Sequence, residues 1–376
     1  MKRRVYFDSA GTTDVSPDVL KTYESLLETY FANSESLYEE GSEVHRMMEK
    51  ARAATAGLLG VSPHEILFTS GSSESNSMAI KGVCFADMSR KHLITSCIEH
   101  SSVLNACRQM ERVFGYDVTY LPVDQNGRVR ISDLRNAIRK DTVLVSIMHV
   151  NNEVGSIQPI EEIARIVKTE SDALFHTDLT QSAGKIPFDL RNIDLASVSA
   201  HKLHGLKGSG ILMKKGYVPM EPLISGGEQE FGLRGGTANA CADMVFAKTL
   251  RLAMEQQPAF ATHTGRLNQR LRSGLRAMEG IEFNSPEDAL PCIVNFSCEA
   301  IPSEVMQNAL NAQGFMVSAR STCESNSSNP SHVLSAMGFS DRRASTCIRI
   351  SLGMENTESD IDRFLEVLKE IIRQYG

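Results

Sequence analysis

Lys202 stands in the segment SAHKLHG (199–205), directly after an apolar run that reads as a strand. Open α/β sheets bind ligands outside the carboxyl ends of their strands. A lysine held there, partly desolvated, can act as an amine nucleophile, whereas a lysine without such surroundings is a surface group. Ser199 and His201 flank it as hydrogen-bonding groups able to hold a phosphate. The spacing His201-x-x-His204 also suggests a metal, but no third ligand lies close in sequence, so no metal site is expected. A second strand ending, FHTDLTQSAGK (175–185), puts Asp178 at its tip. A carboxylate there is either a helix N-cap or the partner of a protonated ring nitrogen on a ligand. Gln181 follows three residues later as a donor.

Four further segments carry polar groups in telling places. FTSGSSESNSMAIKG (68–82) reads as strand, glycine and helix start; Ser72 and Ser73 fit phosphate at a helix N-terminus, and fit equally a capped helix with no ligand. His100, in IEHSSVL, is either a satisfied structural residue or an imidazole that stacks on a ring and shuttles a proton. Asn152, in HVNNEVG, is a ligand to a cofactor or a substrate carboxylate, or a turn former. Arg349, in the apolar strand CIRISLG, needs an acid, either a substrate α-carboxylate or an internal Asp or Glu. ARSTCESNSSNPS (319–331) has almost no apolar anchor, so Cys323 there is no core filler. With Arg320 nearby to favour the thiolate, it is the one cysteine of the eight that reads as a nucleophile. In a pyridoxal-phosphate enzyme these residues would have specific tasks. Lys202 would bond the cofactor, Asp178 would keep its ring protonated as an electron sink, and Gln181 would donate to its phenolic oxygen.

These residues need a sheet to hold them. Strands are predicted at 65–70, 92–97, 117–123, 142–150, 172–178, 195–200 and 210–215, several of them apolar nearly throughout, as strands buried on both faces are. Helical patterns at 44–60, 74–87, 101–114, 132–140 and 160–170 alternate with them, which implies an α/β domain with a mainly parallel sheet. The character changes at Gln257-Pro258. A helical pattern from about Ala259 to Met278, strands within 291–298, 315–320 and 347–353, and helices at 302–313 and 358–373 read as a smaller α+β domain. The expected domains are therefore 16–257, and 1–15 with 258–376. A net charge of −7 and the lack of a basic amphipathic stretch argue against nucleic acid or an anionic membrane as partner. No apolar run approaches the ~18 residues that cross a bilayer, and the basic N-terminus lacks the apolar stretch of a secretory signal. The cysteines form no C-x-x-C pair, so a cytoplasmic protein with free thiols is expected.

In order, TSGSSES, EHSSVLNACRQ, VSIMHVNNEVG, HTDLTQSAGK, SAHKLHGLKGSG, GLRGGTAN and IRISLG resemble the cysteine desulfurases, a class V aminotransferase group among fold-type I pyridoxal-phosphate enzymes. The resemblance runs from YFDSAGTT (6–13) to the last helix. It implies that Lys202 carries the cofactor, Asp178 meets its ring nitrogen, Gln181 its phenolic oxygen, and His100 stacks on it. It implies phosphate ligands at Ser72, Ser73, Ser199 and His201, with Thr237 contributed by the neighbouring subunit of a homodimer. Asn152 and Arg349 match the ligands of the substrate carboxylate, and Cys323 the cysteine that takes sulfur from L-cysteine, leaving L-alanine. The resemblance also implies delivery to a sulfur-acceptor protein, as in iron–sulfur cluster assembly. Departures bear on these roles. Arg320 replaces a glycine and Glu324 adds a charge beside Cys323; Ser34 and Tyr38 replace Pro and His; Phe231 replaces Arg; and the chain stops soon after its last helix. Rival readings are a selenocysteine lyase, a keto-acid-dependent aminotransferase, or a non-catalytic protein of this fold that binds a partner.

Overall fold

The computed structural model describes residues 4–319 and 330–376. Its strands are β1 (Val5–Tyr6), β2 (Ile66–Thr69), β3 (His92–Ser96), β4 (Asp117–Leu121), β5 (Thr142–Ser146), β6 (Leu174–Asp178), β7 (Leu195–Ser199), β8 (Gly210–Lys214), β9 (Ile281–Phe283), β10 (Ile293–Cys298), β11 (Phe315–Met316) and β12 (Cys347–Ser351). The seven strands expected in the first two-thirds of the chain form one sheet, in the order β2-β8-β7-β6-β5-β3-β4. From β4 through β7 every pairing is parallel. β8 runs antiparallel to both β7 and β2, so β2 points the same way as β7. The carboxyl ends of β2, β3, β5, β6 and β7 therefore share one edge.

The near-continuous apolarity of these strands has a direct cause, since the sheet is covered on both faces. Successive side chains alternate between two cores. Phe68, Ile94, Val145, Ala196 and Ile211 enter one, and their neighbours Leu67, Leu93, Leu144, Leu195 and Leu212 the other. Helices Ser101–Phe114 and Ile160–Glu170 lie where the periodicity put them. This is the α/β fold-type I architecture that the motif order implied.

A separate core, away from the large sheet, gathers Val5 and Phe7 with Val294, Phe296, Phe315, Ile348, Ile350 and Phe364. β10 pairs antiparallel with β12 and β9, and β1 lies parallel beside β11. The N-terminal segment thus packs with the C-terminal third. The expected break at Gln257-Pro258 is not a break in the backbone. One helix runs from Ala240 to Arg276 with Pro258 inside it. Its first half gives Phe246 and Leu250 to the large-sheet core, and its second half gives Leu267, Leu271 and Leu275 to the other. Pro258 itself is exposed, and it costs the helix one backbone hydrogen bond.

Candidate active site

The strand ends bring the chemistry together. Asp178 closes β6, Ser199 closes β7 with Lys202 three residues on, His100 follows β3, Asn152 follows β5, and Ser72 and Ser73 follow β2. Arg349 reaches the same place from β12 of the three-stranded sheet. A cavity of about 230 Å³ at this edge is lined by Ser72, Ser73, His100, Asn152, Asp178, Gln181, His201, Lys202 and Arg349. A more open cavity of about 460 Å³ shares Ser72, Ser73 and His201 and adds Ser199, extending the site toward the start of the helix at Ser72. Thr237 is not brought to either; it lines a separate cavity with Glu230, Arg234 and Asp243. Cys323 lies outside the described residues, as do Arg320 and Glu324.

Each polar group is held from behind. Asp178 Oδ1 accepts from the backbone N–H of Thr180 (2.8 Å) and Oδ2 from Asn76 Nδ2 (2.8 Å), so both oxygens are fixed while the residue faces the cavity. Gln181 Nε2 donates to the carbonyl of Ala10 at 3.0 Å, while its Oε1 accepts from Lys185 Nζ at 3.2 Å. Lys202 Nζ donates to the carbonyls of Ala10 and Gly11. Burial, together with the cations of Lys202 and Lys207, brings the His201 imidazole down to about 4, so at neutral pH it is an uncharged ring beside Thr12 Oγ1 at 3.1 Å. His100 has a structural partner and also faces the cavity. Its Nδ1 caps helix Ser101–Phe114 by accepting from the N–H of Ser102 at 3.2 Å, and the ring lines the cavity. The turn-forming role belongs to Asn151, whose Oδ1 accepts from the N–H groups of Glu153 and Val154, and this leaves the Asn152 side chain to the cavity.

Arg349 resolves in an unexpected way. It has an internal acid, Asp8, whose Oδ1 lies 2.6 Å from Nη2, and Nη1 donates to the carbonyl of Asn152 at 2.8 Å. Its Nε is buried with no hydrogen-bond partner among the described residues, and so is the Oγ1 of Thr180, a second residue of the cavity wall.

The set fits pyridoxal phosphate. Three serines and a neutral histidine surround a helix start for the phosphate, an acid with both oxygens anchored is placed for a ring nitrogen, an imidazole is placed for the ring face, and an amine is within the same wall. Arg349, in the same wall, is a cation suited to a substrate carboxylate. Among the described residues no cluster of His, Cys, Asp and Glu could hold a metal ion.

Three residues of the site carry no signal that the sequence reading weighed. Asp8, Asn76 and Lys185 each sit inside a motif already singled out, but away from the residue that drew attention. Their signal is polarity where burial is expected: Asn76 is 0% exposed, ahead of the apolar stretch Met78–Ile80. Lys185 is buried beside Cys292, and burial lowers its pKa.

Residues 5–364 match the family described as aminotransferase class-V. The chain is 41% identical over 379 residues to the cysteine desulfurase IscS of Dictyoglomus turgidum, an alignment covering 100% of this chain and 96% of the relative. It is 42% identical to the cysteine desulfurase IscS of Methanosarcina thermophila, covering 99% and 93%. Among solved structures, a NifS-like protein superposes with a TM-score of 0.92 at 41% identity, covering 99% of this chain and 100% of the other. A structure described as SspA in complex with cysteine superposes with a TM-score of 0.81 at 36% identity, covering 94% and 99%.

Proposed function

This chain belongs to the class V aminotransferase family and, within it, to the cysteine desulfurases, and we propose that Lys202 and Cys323 are the two residues through which it moves sulfur. It is a pyridoxal-phosphate enzyme that converts L-cysteine to L-alanine. The observation that carries the residue assignment is the convergence of Lys202, Asp178 and His100, from three strand ends of the large sheet, and of Arg349, from the middle of β12, on one cavity.

When bound, pyridoxal phosphate supplies an electron sink that takes up the charge left when substrate Cα loses its proton and that weakens the Cβ–S bond. The chain's residues do the rest. Ser72, Ser73, Ser199 and His201 hold the phosphate, and Thr237 reaches it from the partner subunit of a homodimer. Asp178 keeps the ring-nitrogen proton in place, and Gln181 donates to the ring oxygen. Arg349 and Asn152 orient the substrate carboxylate, Lys202 takes the Cα proton, and His100 stacks on the ring and is a second group for proton transfer. The Cys323 thiolate attacks the substrate sulfur. The Cβ–S bond breaks, an S–S bond forms on Cys323 as a persulfide, and the carbon skeleton, reprotonated, leaves as alanine.

A sulfur-acceptor protein then receives the terminal sulfur. A cytoplasmic setting is proposed from the scattered cysteines, which form no C-x-x-C pair; among the described residues no helix is long and apolar enough to cross a membrane. The two cores support domains at 16–257, and at 1–15 with 258–376, joined within the long helix. The test is L-cysteine added to the purified, cofactor-loaded protein. Alanine and a persulfide on Cys323 are expected by mass spectrometry. Cys323→Ser is expected to end sulfur transfer and keep the cofactor absorbance. Lys202→Ala is expected to lose the borohydride-reducible lysine adduct. Undiminished sulfide production by Cys323→Ser would remove that residue from the reaction.

A further inference from the structure

Asn76 and Ser102 lie behind the site and are not used by the mechanism above. Asn76 is 0% exposed, on the helix that begins at Ser72. Its Nδ2 donates to Asp178 Oδ2 at 2.8 Å and to Ser102 Oγ at 2.9 Å. The carboxylate of Asp178 accepts only, which sets the amide so that nitrogen faces it. An amide NH₂ donates only, so Ser102 Oγ must accept from it and has a single hydrogen left to give. The next contact of Ser102 Oγ is His100 Nδ1, at 2.8 Å. The backbone N–H of Ser102 meets the same nitrogen at 3.2 Å. His100 Nδ1 therefore faces two donors, and in the neutral ring the proton belongs on Nε2.

We propose that Asn76 and Ser102 are positioning residues forming a one-way hydrogen-bond relay from Asp178 to His100, which holds the His100 ring as the Nε2–H tautomer. The inference rests on the reading of Asp178 and His100 as cofactor-facing residues. It adds a direction to the chemistry. A neutral ring with hydrogen on Nε2 donates a hydrogen bond at that atom and accepts no proton there. To accept one, it would have to move its hydrogen to Nδ1, against both donors. Lys202 is then favoured over His100 as the group that moves the Cα proton, and His100 offers its Nε2–H as a fixed hydrogen-bond donor. The relay also ties the two assignments together, because the group that anchors one oxygen of Asp178 is the group that orients Ser102.

The test reads the tautomer directly. In holoenzyme carrying ¹⁵N-labelled histidine, the His100 ring nitrogens, assigned by their loss in His100→Gln, are expected to show an unprotonated Nδ1. Ser102→Ala removes only a partly exposed hydroxyl and is expected to fold. It should shift the His100 signals toward a tautomer mixture and lower kcat about tenfold, with KM for L-cysteine little changed. Asn76→Ala should do the same and also alter the cofactor absorbance through Asp178, and Ser102→Thr should restore both signals and rate. A wild-type His100 protonated on Nδ1, or Ser102→Ala with unchanged signals and kcat, overturns the relay. If instead His100→Gln and Asp178→Asn leave cofactor absorbance and turnover untouched, the underlying site assignment fails rather than the relay alone.

Discussion

At the scale of single residues, Arg349 shows how one side chain serves two partners. Asp8 and the carbonyl of Asn152 take its terminal nitrogens, while the residue also lines the cavity. The two readings open in the sequence, internal acid and substrate carboxylate, are compatible because a guanidinium carries five donors. Lysine at this position keeps the charge beside Asp8 but cannot present the fork. Arg349→Lys is expected to cost about 1.5–3 kcal/mol of carboxylate binding, roughly a tenfold to hundredfold rise in KM for L-cysteine. Cofactor absorbance should not change. Steady-state kinetics check this, and an unaltered KM would place the substrate carboxylate elsewhere.

At the scale of elements, an ion pair joins the helix Glu39–Leu59 to β2 and to the turn before GLRGGTAN. Arg52 donates to both oxygens of Glu230, at 2.7 and 2.8 Å, and to the carbonyl of Ile66, while Glu230 also accepts from the N–H of Phe68. Both charges are buried, with side chains 4% and 6% exposed. Glu230 and Phe231 hold positive φ angles of 47° and 61°, a conformation that L-residues adopt only when their surroundings insist. The guanidinium of Arg52 lies over the ring of Phe68 at 4.8 Å and over that of Phe231 at 5.0 Å. The Phe231 that departs from the family pattern thus covers one face of a buried cation. Removing one charge strands the other, so Arg52→Leu is expected to lower stability by about 3–5 kcal/mol. A denaturant titration gives the number, and a shift below about 1 kcal/mol would show that the turn is held by other contacts.

At the scale of the whole molecule, buried titratable groups set the pH response. Burial brings His149 and His176 down to about 4, as it does His201. The unfolded chain binds these protons near pH 6.5 while the fold resists them. Stability from the histidines is therefore present above about pH 6.5 and lost as pH falls toward 4. Burial pushes the carboxyls of Glu99 and Asp243 the other way, each up to about 8. The fold keeps those protons after the unfolded chain has released its own, so their contribution is lost as pH rises from about 4.5 to 8. The cofactor-free protein is expected to be most stable near pH 6–6.5 and to weaken on both sides, seen as a denaturant midpoint measured against pH. Glu99→Gln should flatten the alkaline limb, and an alkaline limb identical to that of the wild type would show that Glu99 does not cause it.

The sequence by itself determined the strands of the large sheet, the residues at their tips and the cofactor that those residues suit. Each depends on local rules: apolar runs make buried strands, and parallel strands put their ends on one edge. For Cys323 the sequence remains the source, since that residue lies outside the described ones. Tertiary structure decided what local rules cannot reach. Asp8 meets Arg349 across 341 positions, and Asn76 meets Asp178 across 102, pairings set by which elements pack together rather than by any nearby pattern. The helix through Pro258 is of the same kind. Its local signal is a stop, but both halves bury apolar faces in different cores, and that packing outweighs one lost backbone hydrogen bond.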